Sequence, residues 1–143
     1  MSEKDFSLKL KLVDKSDYKF LFKNLKERKP TANISHRKMP TYEEHVKFVT
    51  SKPYKKWYIV LHGNKKIGAV YLTKDNEVAM HFCKEILDMR VYQIPYNLIT
   101  EKNPRNRFFV NINPKNTEVI KFYKNNGFTL RQVTYAIDHY FID

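Results

Sequence analysis

The stretch "NPKNTEVIKFYKNNGF", residues 113–128, decides how the chain is read. "NPKN" is a turn, and "TEVIKFYKNN" is a helix whose C-terminus is marked by Gly127, the residue type that most readily takes the left-handed conformation of a helix end. Asn116 stands at the helix start, where its side chain can bond backbone amides as a plain N-cap or reach a ligand amide. Tyr123 lies seven residues on, two turns further along roughly the same face. It is either a core aromatic or a phenol placed for proton transfer.

The elements around this stretch follow from local pattern. Upstream, "RFFVNI" reads as a buried strand, and downstream "FTLRQVTYAIDHYFI" supplies one or two final strands. Near the N-terminus "FSLKLKLVD" alternates apolar and polar residues, the two-residue period of a half-buried strand. Ser16 is expected to cap a helix that carries Phe20, Leu21 and Leu25 on one face and stops before Pro30. "TANISHRKMP" is a polar loop. Thr41 and Glu44 form a capping box that opens a second helix with Val46 and Val49 inward. "KKWYIVL" and "KKIGAVYLT" form a hairpin through "HGN", and "EVAMHF" follows as a third strand of that group. The order β-α-α-β-β-β-α-β-α-β predicts one mixed α/β domain over residues 1–143, with no repeats or linkers.

Composition sets outer bounds. The 143 residues are 42% apolar and 15% aromatic, a globular balance. No apolar run approaches the roughly 20 residues needed to cross a bilayer, and "MSEKDFSLKL" is not patterned as a signal peptide. Cys83 is the sole cysteine, which excludes an internal disulfide and a cysteine-based zinc site, so a reduced, cytoplasmic setting without a structural metal is expected. The net charge of +12 favours an anionic partner such as a nucleotide cofactor, a nucleotide-sugar or nucleic acid, although the lysines and arginines are scattered as on an ordinary basic surface.

The element order, together with "NTEVIKFYKNNGF", resembles the GNAT acetyltransferase superfamily over nearly the whole chain. "ISHRKMPTYEEHVKFV" resembles the acceptor-side loop and second helix of the branch that includes sugar-nucleotide N-acetyltransferases, and "WYIVLHGNKKIGAVYLT" its central hairpin. The resemblance implies a mixed sheet of six to seven strands with about four helices, the fourth and fifth strands splayed apart. It implies acetyl-CoA or another acyl-CoA as donor and a small-molecule amine as acceptor, an amino-sugar nucleotide being one candidate, in a monomer or homodimer. Tyr123 would protonate the leaving thiolate, and Asn116 would contact the cofactor. Phe82 and Cys83 would lend backbone groups to the pantetheine arm.

One part of the pattern is missing. The family follows its fourth strand with Gln/Arg-x-x-Gly-x-Gly/Ala, whose backbone amides meet the pyrophosphate at a helix N-terminus. Here the window is "LDMRVY", with Leu87 in the leading place and Arg90 and Tyr92 in the glycine places. The loop either binds CoA in a wider form through Arg90, accepts another donor or none, or is filled by its own side chains. Pro95 favours a late helix start, near Ile94 or Pro95.

Acceptor chemistry has its own candidates. Glu77 opens the fourth strand and His81 lies four residues along the same face, so either could take a proton from an amine, or both could be structural. His36, Arg37, Glu43 and Glu44 gather around the acceptor-side loop, where "HRK" could grip a phosphate. The alternative to a transferase is a GNAT-fold binding module for nucleic acid or protein.

Overall fold

The computed structural model describes residues 7–28, 39–137 and 139. His36 and Arg37 lie outside the described residues. The elements run β1 (Leu8–Leu12), α1 (Tyr18–Lys26), α2 (Tyr42–Thr50), β2 (Lys56–His62), β3 (Lys65–Leu72), β4 (Val78–Phe82), α3 (Gln93–Lys102) and α4 (Thr117–Asn125). The strands form one antiparallel sheet in the order β1-β2-β3-β4. No helix among the described residues is long and apolar enough to cross a membrane.

Alternation along the strands sends side chains to two different layers. Tyr58, Val60, Val70, Leu72, Val78 and Met80 join Ile99 of α3 and Tyr123 of α4 in the larger core. The residues between them, Ile59 and Ala69, pack with Leu21 of α1 and Val49 of α2 in a smaller one. Ile59, Val60, Val70, Leu72 and Ile99 are fully buried, each contributing about 1.5–3 kcal/mol by burial of its side chain. The α1/α2 layer is tied down by Asp17, itself fully buried, which receives Lys11 Nζ of β1 at 2.6 Å and Lys66 Nζ of β3 at 2.7 Å.

Helix ends follow their caps. Thr41 and Glu44 form the expected reciprocal box, Glu44 N to Thr41 Oγ1 at 3.1 Å and Thr41 N to Glu44 Oε1 at 2.8 Å. At the first helix the cap is Asp14 rather than Ser16: Asp14 and Asp17 make their own box around a 3-10 turn at Lys15–Asp17, and α1 follows it. Gly127, at φ +91°, closes α4 as expected. The helix after β4 is preceded by a 3-10 turn at Met89–Tyr92 and begins at Gln93, so Pro95 occupies its first turn.

The sheet has four strands among the described residues, not six to seven. "RFFVNI" touches β4 through one parallel bridge, Glu77 to Phe109, with Val78 N to Phe109 O at 2.8 Å and Phe109 N to Asn76 O at 2.9 Å. Beyond it no further pairing joins the two segments. Residues 129–137 form no regular element, and Leu130, Val133, Tyr135 and Ile137 stand exposed. Alternation in sequence makes a strand only where an edge is there to pair with it.

Candidate functional site

The single bridge at Phe109 leaves the outer edge of β4 open. Backbone N–H groups alternate sides along a strand. Val78 N points outward to Phe109 O, and Cys83 N points inward to Ile67 O at 2.8 Å. By the same alternation the amides of Met80 and Phe82 point outward, into the gap between β4 and residues 107–112. Phe82 thus presents its amide to the gap, whereas Cys83 has its amide committed to the sheet. The Cys83 thiol is buried, and burial with the nearby Glu85 and Glu27 carboxylates pushes its pKa up, so it stays protonated.

Gly68 sets how closely β3 and β4 approach here. A Cβ on it would meet Phe82 Cδ1 at 2.7 Å and the His81 carbonyl oxygen at 2.8 Å. The Phe82 ring lies across this glycine and packs on Tyr92, centroids 4.7 Å apart; Tyr92 in turn packs on Phe122 at 5.6 Å.

Four amides of the loop after β4 are already committed within the protein. Asp88 Oδ1 accepts Arg90 N at 3.0 Å, Val91 N donates to Asp88 O at 3.1 Å, Ile86 N to Cys83 O at 2.9 Å, and Lys84 N to Glu27 Oε1 at 3.3 Å. The Arg90 guanidinium turns back on the Asp88 carboxylate, at 2.6 Å from Oδ2, and this contact holds Asp88 at a pKa of about 2. An Asp88–Arg90 ion pair therefore sits where the resemblance expects pyrophosphate. Leu87 is 78% exposed. The outer edge of β4 offers unbridged amides beyond Phe109, whereas the loop after β4 has no glycine-rich stretch.

Tyr123 is only 4% exposed, its ring packed by Tyr96, Phe122 and Phe128. Burial, reinforced by the neighbouring Tyr92 and Tyr96 and then by Glu77 and Tyr71, pushes its pKa far up. The phenol keeps its proton at any working pH and can act only as a donor. Asn116 caps α4 by position, yet its side chain makes no capping hydrogen bond.

The opposite face of the sheet holds an open cavity of about 170 Å³ between α1, α2 and strands β2 to β4. Its walls include Arg28, Glu44, His45, Phe48, Tyr54, Trp57, Tyr71 and His81. Tyr54 and Tyr71 stack face to face with centroids 3.7 Å apart, and Trp57 stands edge-on to both at 4.7 and 6.1 Å. The pairing Trp57↔Tyr71↔Ala79 and Ile59↔Ala69↔His81 puts these side chains on one face by register. Glu77 shares the parity of Ala79 and His81 and acts electrostatically on both tyrosines. Burial raises its carboxyl pKa above the usual value, against an opposing hydrogen bond with Asn111. His45 is 4% exposed; burial first, then Arg28, lowers its pKa, so the ring is neutral.

His81 and Glu44 line this cavity; Glu77 shares the strand face of His81 but is not among the lining residues. Glu43 is exposed on the first turn of α2 and does not line it. Arg28, His45 and the Tyr54/Trp57/Tyr71 cluster carry the cavity but no sequence motif. The one available signal was Trp57 and Tyr71, polar-tipped aromatics at facing positions of a hairpin.

Neither family models nor curated protein sequences give a match to this chain. Solved structures do. The ribosomal L7/L12 α-N-protein acetyltransferase RimL in complex with coenzyme A superposes with TM-score 0.69 at 16% identity, covering 87% of this chain and 81% of that one. The spermidine/spermine N-acetyltransferase SpeG from Vibrio cholerae gives 0.65 at 14% identity, over 85% and 78%. A domain from Methanocaldococcus jannaschii gives 0.71 at 16% identity, over 86% and 88%. The chain has the GNAT acetyltransferase fold. The fifth strand was expected beside β4, and residues 107–112 meet β4 through the single bridge at Phe109.

Proposed function

We propose that the chain is an acyl-CoA-dependent N-acyltransferase, most simply an acetyltransferase, acting on the amine of a small molecule. The observation that carries this reading is the cavity itself: an aromatic pocket floored by His81 beside the open amides of Met80 and Phe82. Acceptor and donor sites therefore meet at adjacent residues of β4. A bound acyl-CoA would supply an activated thioester. The Phe82 amide would hold a carbonyl oxygen where negative charge develops, and the Met80 amide, about 6.6 Å further along the strand, would serve a second polar atom of the donor. Glu77, with a carboxyl raised toward neutrality, takes a proton from the amine, and His81 is the second group on that face able to do so. The Tyr123 hydroxyl holds the proton that a leaving thiolate needs. Phosphate ends of the donor would be met by side-chain charge rather than by loop amides, and an amino-sugar nucleotide remains a candidate acceptor.

Calorimetry with acetyl-CoA and desulfo-CoA tests the reading. Saturable binding of both, with acetyl transfer to a primary amine, is expected; binding of neither would remove it. In that event the tight packing of Tyr92 between Phe82 and Phe122 and the Asp88 charge would favour a GNAT-fold binding module. With a net charge of +12, duplex nucleic acid would be its first partner to test, by the slope of affinity against salt.

A further inference from the structure

The cavity contains a cation, Arg28, that makes no ion pair with the carboxylate on its wall, Glu44. Arg28 follows the C-terminal end of α1 and turns into the cavity, where its Nε is buried without a hydrogen-bond partner. Among the described residues it makes no ion pair. Its neighbours are the Tyr54 and Tyr71 phenols and the neutral ring of His45, none of which carries a negative charge. Glu44, on the same wall, places Oε1 on the Thr41 amide at 2.8 Å as part of its helix cap. Two further polar atoms lie buried and unpaired at this cavity: Trp57 Nε1, a donor, and His45 Nε2. Buried polar groups are nearly always satisfied by protein or water, so three such atoms on residues that line one aromatic cavity make it a place where a polar group would be welcome.

We propose that the acceptor of this site is a flat amine that also bears an anionic group, a carboxylate or a phosphate, held by the Arg28 guanidinium while its ring packs against Tyr54, Tyr71 and Trp57. The proposal rests on the acyltransferase reading for the amine and on the cavity alone for the anion. A guanidinium presents donors in a planar fork that matches both anions. The stacked tyrosines and the edge of Trp57 offer a slot for a planar ring. A polycationic acceptor is disfavoured, because its charges would meet Arg28 at close range.

Trp57 is the only tryptophan, so its fluorescence reports on this cavity in the intact chain. The probes are 4-(aminomethyl)benzoate and 4-methylbenzylamine, which share ring and amine and differ in the anion. The wild-type chain should bind the benzoate about tenfold or more tightly than the methyl compound, the usual worth of a charged hydrogen bond. Arg28→Met, which keeps an apolar stem, should abolish the preference, and Arg28→Lys should retain part of it. Equal binding of the two probes by the wild type, or tighter binding of the methyl compound, overturns the proposal, as does a preference unchanged in Arg28→Met. The wild-type comparison stands even if the variant fails to fold. Desulfo-CoA calorimetry on the same sample separates the two readings. Anion preference without donor binding would sink the transferase and leave the anion site; donor binding without anion preference would do the reverse.

Discussion

The two faces of the sheet are built from the same strands and differ in what they do with their aromatics. Toward α3 and α4, Phe82, Tyr92, Tyr96, Phe122, Tyr123 and Phe128 pack ring to ring into a closed core. Toward α1 and α2, Phe48, Tyr54, Trp57 and Tyr71 also pack ring to ring, but as the wall of a cavity with buried, unpaired polar atoms. The recognisable motif lies on the closed face, and the cavity with its polar lining lies on the open one. A motif marks where a helix and its neighbours must pack; it does not mark where space has been left.

The largest effect that could break this contrast is at Tyr123. Were the closed face purely structural, Tyr123→Phe would keep full activity, since the ring is retained. A role as proton donor predicts a fall in turnover of roughly 10²–10⁴-fold with stability and donor affinity nearly unchanged. Steady-state kinetics beside a thermal melt distinguishes the two.

Asp17 sharpens the contrast from the side of stability. It anchors the start of α1 to β1 and β3 through Lys11 and Lys66, each about a third exposed. Burial raises its pKa, but the hydrogen bonds from the two lysines outweigh it and hold the carboxyl below its usual value. The stabilisation is therefore present above the ordinary carboxylate pKa of about 4 and is lost as pH falls below it. Asp17→Asn should cost about 3 kcal/mol, at the lower end for a broken buried pair because the lysines can turn to water. Hydrogen exchange should show the loss in α1 and α2 before α3 and α4. Uniform loss across both layers would mean that the faces are not separable.

At Glu77 the shift has the opposite sign. A raised carboxyl pKa means that the neutral form suits the folded site, so its favourable contribution holds at low pH and fades as pH rises through the raised value. As a base it must be ionised. The rate should then climb with pH through a value above the usual carboxylate range, and Glu77→Gln should flatten that limb and lower turnover by roughly 10²-fold. An unchanged pH profile would transfer the role to His81 or to solvent. Gly68→Ala, which drives a methyl against the His81 carbonyl and the Phe82 ring, should cost about 1–3 kcal/mol by denaturant melt and disturb both faces at once, because the two residues point to opposite sides.

How much of this was legible in the sequence depended on whether the cause was local. The Thr41–Glu44 cap, the Gly127 helix end and the β2–β3 hairpin are set by residues within a few positions of one another, and each is where the pattern put it. The cap of α1 went to Asp14 because a carboxylate three residues before Asp17 makes a reciprocal box that Ser16 cannot. The expected fifth strand meets the open β4 edge at Phe109 alone, and Leu130, Val133, Tyr135 and Ile137 stand exposed in a segment without a regular element. Arg28 was invisible: it sits just before Pro30 in a polar stretch, and its burial comes from strands more than twenty residues away.

The smallest expected effect concerns the glycine-free loop, where the sequence posed its sharpest question. Arg90 was the residue expected to replace the missing amides, yet its guanidinium is turned back onto Asp88 and the Arg90 amide is taken by the same carboxylate. The pair is solvent-exposed, so its internal attraction is weak and screened by salt. A nucleotide diphosphate arriving here must compete with Asp88 for Arg90 and bear the repulsion of a carboxylate that remains ionised at any working pH. Asp88→Asn removes both obstacles while keeping a side-chain oxygen for the Arg90 amide. Affinity for ADP or CoA should rise by up to about fivefold at low salt, the range of one exposed charge interaction, and the gain should vanish as salt is raised. Arg90→Ala should move affinity the other way for CoA and leave a dephosphorylated pantetheine fragment untouched. If Asp88→Asn changes nothing at low salt, phosphates do not approach this loop, and any donor must be held by the β4 edge alone.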